Sequence, residues 1–406
     1  MGARRLRALT DAERGTLAVA ETAAEALGQL RGLAMKVGQM ASYVDGMIPA
    51  EHGELFERAL APLRAAAPTM TPEAAARVVA SELGRPPEQA FATWQPIPIA
   101  SASIGQVHRA TTHDGLEVAV KVQMVGVDAA VRADLGNASL LTRLLPFAGR
   151  VGVPEQLAEL RARFLEELDY AHEARRQLQF AQAFASAAAV RVPRVITELS
   201  TARVLTTEFA PGASFEWAVE QPVEQRREWA ETLWRFVFGS ILVHGLFNAD
   251  PHPGNYLFEP DGVVWFLDFG CTRELTPETL ERVRRVHRCA VDGDRDAFRE
   301  AAFAMLELPR DGVMGRLVAE YVEACFEPML ASGPFCITKE YARSLVAGLQ
   351  QKKLQVLREA PTRFRAPPAE LLFFNRLQVG FYSVLARLDA PIDYAAIHRD
   401  VLRLAE

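Results

Sequence analysis

The chain has 406 residues, half of them apolar and 24% charged, with a formal net charge of −6. That length suits two or three domains or lobes, each with its own core. The acidic balance argues against a nucleic-acid partner, which calls for a basic face.

Arg4, Arg5 and Arg7 open the chain, but no apolar core segment follows them, so no secretory signal is expected. Gly2 lacks a Ser or Thr at position 6, so a myristoylation signal is missing too. The longest apolar candidate, residues 236–247, contains His244 and is too short to span a bilayer; it reads as a buried helix. The expectation is a soluble cytoplasmic protein with no transmembrane segment. Cys271, Cys289, Cys325 and Cys336 lie in no paired or metal-ligand spacing, as in a reducing compartment.

Residues 11–45 are rich in Ala, Glu and Leu without Pro, which predicts a long helix. Within it, Lys36 and Gln39 lie three apart and share a face. Lys and Gln on a helix are ordinarily surface residues, yet Leu33, Met35, Val37 and Met40 surround this pair. Helices are expected at 51–66 and 72–83, and the Gly-Arg-Pro-Pro cluster at 84–87 marks a boundary. Residues 1–93 thus form an N-terminal helical extension.

From Trp94 the pattern changes to short apolar runs and turns. Residues 96–108 read as strand, tight loop, strand, and Asp114-Gly115 turns the chain into the strand Glu117-Val-Ala-Val-Lys121. Small residues at Ala100, Ser101, Ala102 and Ser103 would let the backbone approach a ligand closely, as a phosphate-binding loop does. Lys121 after alternating valines stands where a kinase-type site keeps its phosphate-binding lysine.

A helix predicted over 154–184 carries Glu166, Glu167, Asp169 and Glu173, of which Glu166, Asp169 and Glu173 fall at i, i+3 and i+7 as one acidic stripe. Strands at 192–196 and 203–209 lead into Ala210-Pro-Gly212, an inter-lobe hinge whose residues Glu208, Phe209 and Ala210 would bind an adenine through the backbone. Residues 94–211 are the expected N-lobe and 212–406 a helical C-lobe. The aromatic face of 371–388, with Phe373, Phe374, Phe381 and Tyr382, reads as core and leaves room for peripheral lipid contact.

The chemistry concentrates in Asn248-Ala-Asp250-Pro-His-Pro-Gly-Asn255 and Trp265-Phe-Leu-Asp268-Phe-Gly270. Phosphoryl transfer needs divalent metal against the phosphates and a base beside the acceptor. Asp268 and Asn255 suit the metal, and Asp250 suits the acceptor proton. Residues 256–258 and 263–267, joined by Glu-Pro-Asp-Gly, predict a hairpin supporting both metal ligands.

Taken with Lys36-Val-Gly-Gln39, the Ala-Ser-Ala-Ser-Ile-Gly-Gln-Val-His loop, Val-Ala-Val-Lys121 and Glu167-Leu-Asp169-Tyr, these motifs resemble the UbiB/AarF family of atypical kinase-like proteins, from about residue 30 to 275. The resemblance implies an α+β, protein-kinase-like two-lobed fold, mostly helical, with the N-terminal extension over the active site. It also implies ATP or ADP with Mg²⁺ as cofactors, and an ATPase or small-molecule or lipid phosphotransferase supporting isoprenoid-lipid metabolism. By similarity, Lys36 and Gln39 enter the cleft, Lys36 meets Glu167 and Asp169, and Lys121 pairs with Glu173. Residues two apart do not share a helix face, so either Glu167 and Asp169 flank Lys36 or the helix is distorted there.

Two departures stand out. Ser101 interrupts an Ala-Ala-Ala-Ser loop, which bears on ATP against ADP preference, and the two C-terminal membrane helices of some bacterial members are not expected here. Two other readings compete. An aminoglycoside- or choline-type phosphotransferase shares the loop and the Asp-Phe-Gly turn but lacks the Lys-x-Gly-Gln helix. A nucleotide-sensing pseudokinase would have lost a metal ligand or the base, whereas Asp250, Asn255 and Asp268 are all present.

Overall fold

The computed structural model describes residues 70–102, 104–136, 165–308, 310, 312–359 and 369–405. The expected helices at 11–45 and 51–66 lie outside these residues. In chain order the strands are β1 (Thr93–Trp94), β2 (Ala100–Ser101), β3 (Gly105–Thr111), β4 (Glu117–Gln123), β5 (Val190–Arg191), β6 (Val204–Glu208), β7 (Leu246–Asn248), β8 (Tyr256–Phe258), β9 (Val264–Phe266) and β10 (Thr272–Glu274). Helices make up most of the rest, so the described chain is α+β and mostly helical. It divides into two compact units. The first holds the described residues up to Ala171 together with Ile196–Thr206, and the second holds His172–Val195 and the chain from Thr207 onward.

The first unit is a sheet of order β1-β3-β4-β6, with β2 also paired to β3. Strand β4 alternates as its valines predict: Val118, Val120 and Val122 are fully buried, and Lys121 points to the other face. Those valines join Val78, Val79, Phe91, Leu199 and Val204 in one core. The helix Pro72–Leu83 supplies Val78 and Val79. Thr71 accepts the amide of Ala74, Pro72 sits in the first turn, and Gly84 ends the helix in the left-handed region at φ 70°.

The helix expected over 154–184 is interrupted. Residues 165–167 are helical, Leu168 and Asp169 are not, and a new helix runs over Tyr170–Ala183. The cause is local: Asp169 Oδ1 accepts the amide of Ala171 at 3.0 Å, an N-terminal capping bond that a mid-helix residue does not make. Glu166, Asp169 and Glu173 therefore do not form one stripe. Likewise, the strand expected at 192–196 reduces to a single bridge between Val195 and Thr207, and the paired strand is β5 instead. Pro193 has no amide to give a ladder, and its carbonyl is taken by Gln177 Nε2 at 2.6 Å.

In the second unit β9 lies between β5 and β8, parallel to the first and antiparallel to the second. The β8–β9 hairpin closes through Asp261 (φ 58°) and Gly262 (φ 73°), two successive left-handed residues as the Asp-Gly pair predicts. The helix Val223–Leu242 fastens this turn: Trp229 Nε1 donates to Glu259 O at 2.7 Å and Thr232 Oγ1 to Gly262 O at 2.8 Å. Behind it, Trp234 packs against Phe238, Phe381, Tyr382 and Tyr394. Phe381 and Tyr382 are fully buried, so these two residues of the aromatic face are core.

The helix Gly312–Leu330 contains Pro328, which cannot donate to the carbonyl four residues back. That carbonyl, Ala324 O, accepts from the Tyr341 hydroxyl, and Cys325 O accepts from Tyr382 Oη at 2.9 Å and Gln378 Nε2 at 2.7 Å. Among the described residues no helix is long and apolar enough to cross a membrane.

Candidate functional site

The loop after the helix Val223–Leu242 is built by short-range hydrogen bonds that the motif itself encodes. Strand β7 pairs with β10, bringing Asn248 opposite Thr272. Asn248 then serves two masters: its Nδ2 donates to the carbonyl of Asp268, and its Oδ1 accepts the amide of Asp250 at 3.1 Å. A single carboxamide thus ties the acidic loop to the Asp-Phe-Gly turn.

Beyond Asp250 the chain folds back tightly. His252 N donates to Asp250 O at 2.8 Å, Gly254 N to His252 Nδ1 at 3.0 Å, and Asn255 N to His252 O at 2.9 Å. Pro251 packs so closely on the helix Ala369–Leu388 that a Cβ at Gly380 would lie 2.7 Å from its ring. Asn255 Nδ2 donates to Asp250 O at 3.1 Å and Asp250 Oδ2 at 3.3 Å. Both bonds use the amide nitrogen, so the carbonyl oxygen Oδ1 is the atom left for a ligand. Asn255 O in turn accepts from Leu267 N at 3.0 Å, joining the loop to the strand before Asp268.

Asp250 Oδ1 is buried and has no hydrogen-bond partner. Leaving a carboxylate oxygen so exposed to desolvation is unfavourable by about 1–3 kcal/mol or more, and such atoms belong to sites completed by a ligand.

Asp268 Oδ1 accepts the amide of Gly270 at 2.9 Å, which sets the turn, and Phe269 between them is fully buried against Phe180 at 4.9 Å between ring centres. Phe180 belongs to the helix Tyr170–Ala183, whose residue Glu173 is buried at 5% exposure. A Cβ on Gly270 would lie 3.3 Å from Asp268 Oδ1 and 3.6 Å from Glu173 Oε2. The second unit therefore gathers Asp250, Asn255, Asp268 and Glu173 on one loop, one hairpin and one helix.

Glu208, Phe209 and Ala210 also lie in the second unit, half-buried. The residues that follow them are held on the same hairpin: Gly212 abuts Leu257 and Phe258, where a Cβ would sit 2.9 Å away, and Ala213 exchanges both backbone hydrogen bonds with Phe258 at 2.8 Å.

The first unit carries the other predicted residues. Lys121 is half-buried on the face of β4 opposite the core, its Nζ 4.9 Å from the ring centre of Tyr170. Ala100 and Ser101 form β2 opposite Val107 and Gln106, and Ala102 N donates to Gly105 O at 2.9 Å. Glu167 ends the helical segment before the break, and Asp169 lies in the break. Lys36, Gln39 and Ser103 lie outside the described residues.

A polar chain supports the β2–β3 segment. His108 Nδ1 meets Gln95 O at 2.9 Å, which requires a proton on Nδ1, so Nε2 accepts from Gln106 Nε2 at 2.9 Å. Trp94 stacks on the imidazole at 4.5 Å. Burial pushes the imidazole pKa down and the Gln95 carbonyl partly opposes it.

The donor set fits Mg²⁺. Among the described residues no group of three or more His, Cys, Asp or Glu is poised for a metal. Mg²⁺ is ordinarily held by one or two protein oxygens with the remaining positions taken by phosphate and water, and Asp268, Asn255 Oδ1 and the unpartnered Asp250 Oδ1 provide hard oxygens of that kind. Sequence reasoning did not single out Asn248, although it stands in the same motif, or Tyr170, whose signal was only its place after Glu167-Leu-Asp169.

Comparison with known proteins bears on the family of the chain. The profile of the ABC1 atypical kinase-like domain matches residues 62–302. The chain is 31% identical over 397 residues to the rat (Rattus norvegicus) protein named atypical kinase COQ8B, mitochondrial, spanning 95% of this chain and 72% of that protein. It is 30% identical over 386 residues to atypical kinase coq-8, mitochondrial, of Caenorhabditis elegans, spanning 92% of this chain and half of the worm protein. Among solved structures, the complex of Rv3197 with erythromycin, from Mycobacterium tuberculosis, aligns with a TM-score of 0.63 at 30% identity, covering 94% of this chain and 95% of that one.

Proposed function

Since the chain belongs to the ABC1 atypical kinase-like family, we propose that it is a Mg²⁺-dependent ATP-binding enzyme, an ATPase or a small-molecule or lipid phosphotransferase in isoprenoid-lipid metabolism. The observation that carries this reading is Asp250 Oδ1, a buried carboxylate oxygen with no partner on a loop braced to the Asp-Phe-Gly turn.

Each residue then has a task. Asp268 and Asn255 hold the metal, which would neutralise charge on the nucleotide phosphates. Asp250 takes the proton of the accepting hydroxyl or water. Lys121 supplies positive charge to the phosphates, Glu173 is the carboxylate assigned to it, and the small residues Ala100 to Ser103 admit the backbone to the nucleotide. Glu208 to Ala210 carry the backbone groups for an adenine. Lys36 and Gln39 are assigned by motif, with Glu167 and Asp169 as their partners, and Ser101 bears on the choice between ATP and ADP. An aminoglycoside- or choline-type activity is disfavoured by the family match across residues 62–302.

The test is ATP hydrolysis by the purified protein with Mg²⁺, with and without anionic lipid vesicles, beside Asp250→Asn. Turnover that depends on Asp250 is expected, and stimulation by vesicles would direct the substrate search to membrane isoprenoids. Nucleotide binding without turnover under every condition would replace the enzyme with a nucleotide sensor. Erythromycin belongs among the ligands titrated, because the mycobacterial neighbour is described in complex with it.

A further inference from the structure

We propose that Tyr170 is a positioning residue for Lys121: its ring holds the ammonium in place by a cation–π contact, and so sets the affinity for the phosphate groups of the nucleotide. This rests on the assignment of Lys121 to those phosphates.

The register of β4 sets the geometry. Lys121 and Gln123 are two apart on a strand and so share a face. Gln123 is buried at 1% exposure and its Nε2 donates to Leu168 O at 2.9 Å. That bond draws the segment leaving the broken helix across the Lys121 face of the sheet. Two residues later comes Tyr170, whose own amide donates to Ala202 O at 2.9 Å, while Gln123 N donates to the neighbouring Arg203 O at 3.0 Å. The position of the ring is thus fixed from the C-terminal end of β4 and from the segment before β6.

The ring itself is immobilised. Tyr170 is 1% exposed, and its hydroxyl end lies where Gly105 of β3 has no side chain: a Cβ there would come within 2.5 Å of Tyr170 Oη and 2.6 Å of Val122 O. Only glycine admits the tyrosine at this point. With the ring seated, Lys121 Nζ lies 4.9 Å from its centre, inside the range where the negative face of the ring attracts a cation. A lysine has four rotatable bonds and a strongly hydrated head. An aromatic floor restrains it through the ring face rather than through a hydrogen bond. The break at Leu168 and Asp169 thereby acquires a purpose, because an unbroken helix would not deliver residue 170 with its amide on Ala202.

The experiment is a double-mutant cycle read by calorimetric titration with MgATP and with adenosine, which has no phosphates. Tyr170→Phe keeps the ring and is expected to bind MgATP as wild type does. Tyr170→Leu is expected to weaken MgATP about three- to thirty-fold, to leave adenosine unchanged, and to have no further effect in Lys121→Met. Where Tyr170→Leu does not fold, phenylalanines of increasing ring fluorination at position 170 keep the volume and weaken the ring face, and MgATP affinity should fall in step. Equal losses from Tyr170→Leu with and without Lys121, equal losses for MgATP and adenosine, or a flat response to fluorination would overturn the proposal. If Lys121→Met alone binds MgATP like wild type, the assignment of Lys121 is wrong and the role of Tyr170 falls with it.

Discussion

The second unit contains two polar clusters, one buried and one half-buried, built to opposite rules. Around Trp234 the bonds close on themselves: Trp234 Nε1 donates to His398 Nδ1 at 3.2 Å, so His398 carries its proton on Nε2 and donates to His287 Nδ1 at 2.9 Å. Both imidazoles are stacked at 4.8 Å among Phe238 and Phe326. At the loop 248–255, Asn248 accepts the Asp250 amide and Asn255 donates to Asp250 O and Oδ2, while Asp250 Oδ1 stays buried without a partner. A cluster that only holds a core together completes its own hydrogen bonds; a cluster that acts on a ligand leaves one for it.

The largest effect expected from breaking this contrast is on rate. Asp250→Asn keeps an acceptor for Asn255 but loses the base, and turnover should fall by about 10²- to 10⁴-fold, while the thermal midpoint stays near that of wild type. A variant with wild-type turnover would remove Asp250 from the chemistry.

The mirror-image substitution is His398→Phe. It takes the partner from both Trp234 Nε1 and His287 Nδ1, which should lower unfolding free energy by about 1–3 kcal/mol, and specific activity of the folded fraction should not change. Chemical denaturation and active-site titration together would show whether stability and activity separate in this way.

The closed cluster also predicts a pH dependence. Burial lowers the pKa of His287 to about 3 and pushes that of His398 well below the ordinary range, with the neighbouring imidazole adding to the second. Groups whose pKa is depressed on folding bind protons first in the unfolded state. Their contribution is therefore complete above about pH 6.5 and is lost as pH falls towards 3, with a slope approaching about 1.4 kcal/mol per pH unit for each histidine. Carboxylates titrate at the lower end, so the diagnostic window is pH 6.5 to 5. Stability should decline across it in wild type, and His287→Gln/His398→Gln should flatten the decline.

The smallest effect sharpens the comparison from the scaffold side. Gly262→Ala places a Cβ in the left-handed region and 3.1 Å from Glu228 Cβ, which should cost about 1–2 kcal/mol of stability. Because the turn is remote from Asp250 along the hairpin, the affinity for MgATP should be little changed, a point that titration of the variant checks.

How much of this was legible in the sequence depends on the range of each interaction. The helix Pro72–Leu83 was readable because Thr71, Pro72 and Gly84 punctuate it locally, and the β8–β9 hairpin because Asp261 and Gly262 suit its turn and no other common one. The inner turn of the loop 248–255 was readable for the same reason, since the bonds within it run two to five residues. The break at Asp169 was not, because Asp in an alanine- and glutamate-rich run is equally compatible with a helix face, and its local cap on Ala171 is joined by a bond with no local signature, from Tyr170 N to Ala202 O. The strand expected at 192–196 failed on the single amide that Pro193 lacks. The pairing of His287 with His398 spans 111 residues, and the capping of Ala324 O by Tyr341 answers a gap left by Pro328; neither has any local signature. The roles assigned to Lys36, Gln39 and Ser103 rest on motif alone.

The most direct test of the central claim, that the hairpin and its loop form a metal–nucleotide site, is calorimetric titration of ATP into wild type and Asp268→Asn, each with Mg²⁺ and with EDTA. Wild type should bind ATP tightly only with Mg²⁺, and Asp268→Asn should show the same weak binding in both buffers. Undiminished MgATP affinity in Asp268→Asn would contradict the account and take the Asp-Phe-Gly turn out of the site.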